Sequence, residues 1–302
     1  TRKDVVLFSG YHGWHDWYMA AAYEYKLGNH LLDELPIAGV PRNLAGTAIP
    51  FEYGSEDDFL TKLRAHGDDI GVVILEPMRY SIPDVAFLKL VREECSLRGI
   101  VLIFDEISCG FRFNNSAVHL DIDVIPDMVV FSKALGNGYP IACIGGKDQF
   151  MNASKDTFIS STTHTESVGF AAMIAVLDFY SGHDVAQDLA HRGSAIRTIL
   201  LETADKYDLN ISTKGLNQLW SWSFDFDAAL NRQLQTIVTE SMLSSSILFS
   251  NRFYATLGID SDHDDIFRRA ISRAFKKISM IINTNEDPKE HIQFGLNRLG
   301  IY

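Results

Sequence analysis

Val129-Val130-Phe131 leads into Ser132-Lys133, and Gly136, Gly138 and Pro140 lead out. The apolar triplet reads as a short buried strand, and the glycine/proline cluster as the turn that ends it. Lys133 therefore stands at a strand end, where sheet enzymes present reacting groups. An amine placed there becomes a nucleophile toward carbonyls, forming a Schiff base, when its neighbours lower its pKa. Taken alone, Ser132-Lys133 would more often be a solvated loop. Leu102-Ile103-Phe104-Asp105 changes that balance, because a second apolar strand upstream ends in an acid. A strand-end carboxylate and a strand-end lysine are the two parts that pyridoxal phosphate uses: one partners its pyridinium nitrogen and the other bonds its aldehyde.

Two longer runs carry a family resemblance: Leu102 to Arg112 (LIFDEISCGFR) and Phe131 to Pro140 (FSKALGNGYP). In order and spacing they resemble the class III, fold type I aminotransferases, and within these the branch like glutamate-1-semialdehyde 2,1-aminomutase. The resemblance implies an α/β fold, with a mainly parallel central sheet covered by helices on both faces and a smaller C-terminal α/β domain. It also implies that Lys133 bonds pyridoxal 5'-phosphate while Asp105 keeps the pyridine nitrogen protonated. Tyr11, in Gly10-Tyr11-His12-Gly13, matches the aromatic that lies on the pyridine ring, and an aromatic face over a cationic ring is favourable. His12 then sits beside the cofactor with no assigned role. Ile107, expected on the same side of the strand as Asp105, would pack on the other ring face. Glu76, in Leu75-Glu76-Pro77-Met78-Arg79, matches an element near the cofactor. Arg79 matches a position of this branch, with a substrate or loop-anchoring role set against a plain surface arginine.

Further along, Thr162 matches a threonine that reaches across a dimer interface to the neighbouring subunit's phosphate. The implied working unit is a homodimer with a shared active site. His164 and Ser167 stand where the branch usually has an aromatic and an arginine, which bears on substrate preference; His164 is retained as a substrate candidate. The family's Gly-Ser/Thr phosphate loop, which precedes the first strand, is not among the numbered residues and is expected ahead of Thr1.

The implied activity moves an amino group from a small-molecule amine donor to an aldehyde or keto acceptor. The same apparatus runs aminomutase, decarboxylase or racemase chemistry, and an inactive relative acting as a binding subunit is the rival outside catalysis. Retention of both Asp105 and Lys133 weighs against that last reading. A dinucleotide-binding dehydrogenase is excluded, since Gly136-Asn137-Gly138 lacks the third glycine and the ribose-binding acid. His12, His15 and Asp16 have no further ligand cluster to make a metal site.

The elements that must position these residues follow from pattern. Strands are expected at 5–8, 72–75, 102–105, 127–131 and 141–146, the second closed by Glu76-Pro77, where proline blocks the next ladder bond. Helices are expected at 58–66, 87–98 (stopped by Gly99), 168–180, 185–207 and 264–282. The strand–helix–strand run from Val72 to Phe104 implies parallel pairing with a right-handed crossover. Residues 24–56 read as loop. Trp220, Trp222, Phe224 and Phe226 alternate as in a half-buried strand. The texture change near Asp184 predicts a large domain over 1–182 and a small one over 183–302. The 302 residues carry a formal charge of −12 and 46% hydrophobic residues. That charge argues against nucleic-acid and anionic-membrane partners. Three cysteines without metal spacing suit a reducing compartment. With no signal-like or membrane-length apolar run, a cytoplasmic enzyme is expected.

Overall fold

Apolar runs without polar alternation mark strands buried on both faces, and such runs build the sheet of the first unit. The computed structural model describes residues 1–27, 37–79 and 81–295, and the chain divides into Thr1–His183 and Asp184–Tyr302. In the first unit, strands β1 (Val5–Ser9), β2 (Ala48–Pro50), β3 (Ile70–Leu75), β4 (Val101–Asp105), β5 (Met128–Phe131) and β6 (Cys143–Gly146) lie in the order β2-β1-β3-β4-β5-β6. All neighbours pair parallel except β6, which folds back antiparallel on β5. Helices of this unit are α1 (Asp16–Ala20), α2 (Glu56–His66), α3 (Val85–Arg98), α4 (Val118–Asp121), α5 (Asp148–Met151) and α6 (Ser167–Gly182).

Successive strand residues point to opposite faces, and Leu7 and Phe8 enter different cores. Leu7, Val73, Leu75, Leu102 and Phe104 pack with Phe59 and Leu63 of α2 and Phe87, Leu88 and Val91 of α3. Phe8 and Ala48 pack on the other side with Tyr18, Ala21 and Leu27. Helix α3 starts where the Asp84 carboxylate accepts the Phe87 amide proton and ends at Gly99, whose φ of 64° is left-handed. Asp127, buried just ahead of β5, accepts from the Leu102 amide (2.9 Å), Arg92 of α3 (2.9 Å) and Lys147 after β6 (2.6 Å). One carboxylate thus ties together three strands and a helix.

Two expectations need correction. Residues 24–56 are not all loop, since β2 pairs with β1 through Val6↔Ala48, Leu7↔Ile49 and Phe8↔Pro50. Three buried residues are too few to show a period, and Pro50 is tolerated because the strand is at the sheet edge. Residues 28–36 of that stretch lie outside the described residues. Ile107 does not continue the strand. The Asp105 Oδ1 accepts the Ile107 amide proton at 3.1 Å, an Asx-type turn that ends β4 at Asp105 itself.

The second unit holds α7 (Val185–Lys206), α8 (Ala228–Leu243), α9 (Asp262–Thr284) and an antiparallel sheet of β7 (Ile211–Leu216), β8 (Leu219–Phe224) and β9 (Arg252–Tyr254). Trp220, Trp222 and Phe224 are buried in its core, whereas Phe226 lies past the strand and is 43% exposed. The period-2 pattern therefore ends one step earlier than its last aromatic. Among the described residues, no helix is long and apolar enough to cross a membrane.

Candidate active site

Because β1, β3, β4 and β5 run parallel, their C-terminal ends share one edge of the sheet, where open α/β sheets bind ligands. The chain delivers Tyr11 and His12 after β1, Glu76 after β3, Asp105 at the end of β4 and Lys133 just past β5.

Asp105 is buried, with both carboxylate oxygens engaged. His12 Nδ1 lies 2.8 Å from Oδ2, and the Ile107 amide donates to Oδ1. The other ring nitrogen of His12 faces the Ser9 carbonyl at 3.2 Å. His12 thus has a place the sequence did not assign: it fixes the direction of Asp105. The contact spans 93 positions, so no local pattern announces it.

Glu76 is buried and fastens two neighbouring segments. Its Oε2 accepts the Tyr11 amide proton (3.0 Å) and a guanidinium proton of Arg79 (2.7 Å). Gly10 makes that approach possible. Its φ is 106°, and a Cβ there would meet Glu76 Oε2 at 2.5 Å, so a side chain is excluded both by conformation and by space. The Tyr11 ring packs against Trp14 (4.7 Å between centroids) and edge-on to Tyr18 (5.7 Å). Burial raises the Tyr11 phenol above its ordinary pKa; Arg79 opposes this, and Asp105 and Glu76 add to it.

Lys133 opens a single 3-10 turn, Lys133–Leu135, with φ at 44°. A non-glycine residue in that region stores about 1–2 kcal/mol of strain. The side chain is open to solvent along part of its length, while its ammonium donates to Ser108 Oγ at 2.8 Å. Burial of that end pushes the amine below the ordinary lysine pKa. Arg79 pushes the same way, Glu76 resists, Arg112 lowers it further and Asp105 resists.

Tyr11, His12, Glu76, Arg79, Asp105 and Lys133 are thereby gathered at one sheet edge. Ile107 joins through its backbone and lies in the turn instead of on the strand. Thr162 and His164 lie in an exposed turn ahead of α6. Among the described residues, no hydrogen bond links either of them to Lys133, Asp105 or Tyr11. Two participants had no sequence signal beyond their place in the LIFDEISCGFR run. Ser108 holds the lysine. Glu106, fully buried, accepts from the Val118 and His119 amides and from His119 Nδ1 (2.6, 2.9 and 2.7 Å), closing the loop that carries Ser108.

Residues 1–275 match the family model described as "Aminotransferase class-III". The chain is 31% identical over 229 residues to 2'-deamino-2'-hydroxyneamine transaminase of Streptomyces kanamyceticus, covering 76% of this chain and 54% of that protein. It is 29% identical over 227 residues to glutamate-1-semialdehyde 2,1-aminomutase 2 of Lachnoclostridium phytofermentans, covering 72% and 53%. The chain spans about half the length of these curated relatives. Its fold is that of FumI from Sphingopyxis sp. MTA144, solved in its PLP internal aldimine form, with a TM-score of 0.81, 19% identity, and coverage of 95% of this chain and 67% of that one.

Proposed function

From a chain that belongs to the class III aminotransferase family, we propose a pyridoxal phosphate-dependent transaminase acting on small-molecule amines and carbonyl compounds. One observation carries the reading: Asp105 and the pKa-lowered amine of Lys133 stand at the same sheet edge. The residues suit the cofactor. Asp105, held by His12 and the Ile107 amide, offers a fixed acceptor for a pyridinium N–H, and Lys133 offers an amine eased toward its neutral form. When bound, pyridoxal phosphate supplies an aldehyde for the lysine and a ring that draws electrons from the carbon bearing the amine.

The remaining work belongs to the chain. Lys133 Nζ moves a proton from the amine-bearing carbon once substrate has displaced it. Tyr11, braced by Trp14 and held through its backbone by Glu76, would cover one face of the bound ring. Arg79 is proposed as an anchor of the loop after β3, because its 2.7 Å pair with Glu76 occupies it locally; a substrate role is the second assignment. Thr162 and His164 enter through association. One flank of α6 carries Phe170, Ile174 and Leu177 at i, i+4, i+7 spacing, all exposed, and a homodimer would cover it, with Thr162 serving the partner's phosphate. Unpaired thiols at Cys95, Cys109 and Cys143 suit the cytoplasm.

The test is to add pyridoxal phosphate, reduce with borohydride and map the modified peptide. Addition at Lys133, followed by loss of the chromophore with amine donors, is expected; no addition at Lys133 overturns the proposal. An aminomutase reading is supported by aminomutases among the relatives. Product formation without an added keto acid would favour it over transamination.

A further inference from the structure

Lys133 forms no ion pair with a carboxylate among the described residues; its ammonium is received by a neutral hydroxyl, Ser108 Oγ, at 2.8 Å. Ser108 is 4% exposed and stands in the turn that Asp105 opens. Its carbonyl accepts from Arg112 Nε at 2.9 Å, and the adjacent Ile107 amide is fixed on Asp105. Both sides of Ser108 are therefore pinned, and its hydroxyl faces the lysine from a rigid position. We propose that Ser108 is the seat of the Lys133 ammonium whenever that amine is not bonded to cofactor, and that it sets how readily the amine is released for bonding. This rests on the transaminase reading.

The physical argument concerns charge. A carboxylate at this place would hold the ammonium strongly and resist loss of its proton. A hydroxyl orients the amine through one hydrogen bond but adds no charge, so the proton leaves more easily. The charged groups that act on the amine are Arg79 and Arg112, which disfavour the ammonium, and Glu76 and Asp105, which favour it; His12 faces Asp105 from the β1 side. One charge-assisted hydrogen bond is enough to move that equilibrium by about one pH unit.

The experiment follows capture of pyridoxal phosphate by the cofactor-free protein across pH, with the lysine-bound chromophore as readout and borohydride peptide mapping to confirm Lys133. Capture needs the neutral amine: it adds to the aldehyde carbon, the C–N bond forms and one water leaves. Ser108→Ala removes the acceptor for the ammonium, so the midpoint of the rate–pH profile should fall by about one unit. Capture below the midpoint should become about tenfold faster. Ser108→Thr keeps the hydroxyl and should retain the wild-type midpoint. If the alanine variant does not fold, Ser108→Cys, which keeps the volume and weakens the acceptor, must show the same acid-ward shift. An unchanged midpoint in a folded alanine or cysteine variant overturns the proposal, as does a threonine variant that shifts like alanine. Wild-type protein with no adduct at Lys133 would sink the transaminase reading instead.

Discussion

At the scale of single residues, the reacting side chain sits on backbone it does not favour. The φ of 44° at Lys133 costs a non-glycine residue about 1–2 kcal/mol, whereas glycine there adds about 0.5–1 kcal/mol of unfolded-chain entropy. Relief outweighs entropy, so Lys133→Gly should gain up to about 1 kcal/mol in urea unfolding while losing every trace of borohydride-fixed cofactor. A less stable glycine variant would mean that the turn is held by the lysine side chain. His12→Ala should do the opposite. It strips a partner from buried Asp105 and should cost about 1–3 kcal/mol, with cofactor affinity lowered about tenfold; unaltered unfolding and affinity would remove His12 from the site. Lys133 and Asp105 were legible because strand ends leave local marks, and Tyr11 through the family motif around it. His12 was placed but given no task, and Ser108 and Glu106 were not singled out, because their tasks are defined by partners that only the fold brings near.

Elements are joined by groups whose protonation matters. Burial alone would raise the Asp127 carboxyl, but the Leu102 amide, Lys147 and Arg92 outweigh it and leave its pKa below the ordinary value. The folded value therefore lies under the unfolded one, near 3.9. The stabilisation is complete at neutral pH and is lost as pH falls from about 3.9 through the folded pKa. Asp127→Asn should cost about 1–3 kcal/mol at pH 7 and flatten the acid limb of stability against pH, read from urea midpoints. An acid limb of unchanged steepness would place the linkage elsewhere. The strands were readable where four or more apolar residues ran together, as at β3 and β4. β2 escaped because Ala48–Pro50 is short, and Ile107 was misplaced because the Asx turn at Asp105 ends the strand two residues before it.

Taken whole, the chain changes texture at Asp184, and the two described units meet in sequence at that point. Composition could suggest the division because charge and helix length change there; it could not show which apolar face stays open. Ile174, 56% exposed on α6, is the sharpest probe of the proposed dimer. Ile174→Glu should halve the mass seen by light scattering, and a monomeric wild type would contradict the shared site. The positions of the aromatic residues have another use. Of four tryptophans, Trp14 and Trp17 lie around Tyr11 and His12, while Trp220 and Trp222 are buried in the core of the second unit. Each unit thus carries its own intrinsic lamp. Excitation of the native protein reports ligand arrival at the sheet edge through the first pair and loosening of the second unit through the other. Replacing Trp14 and Trp17 with phenylalanine would leave emission that speaks for the second unit alone.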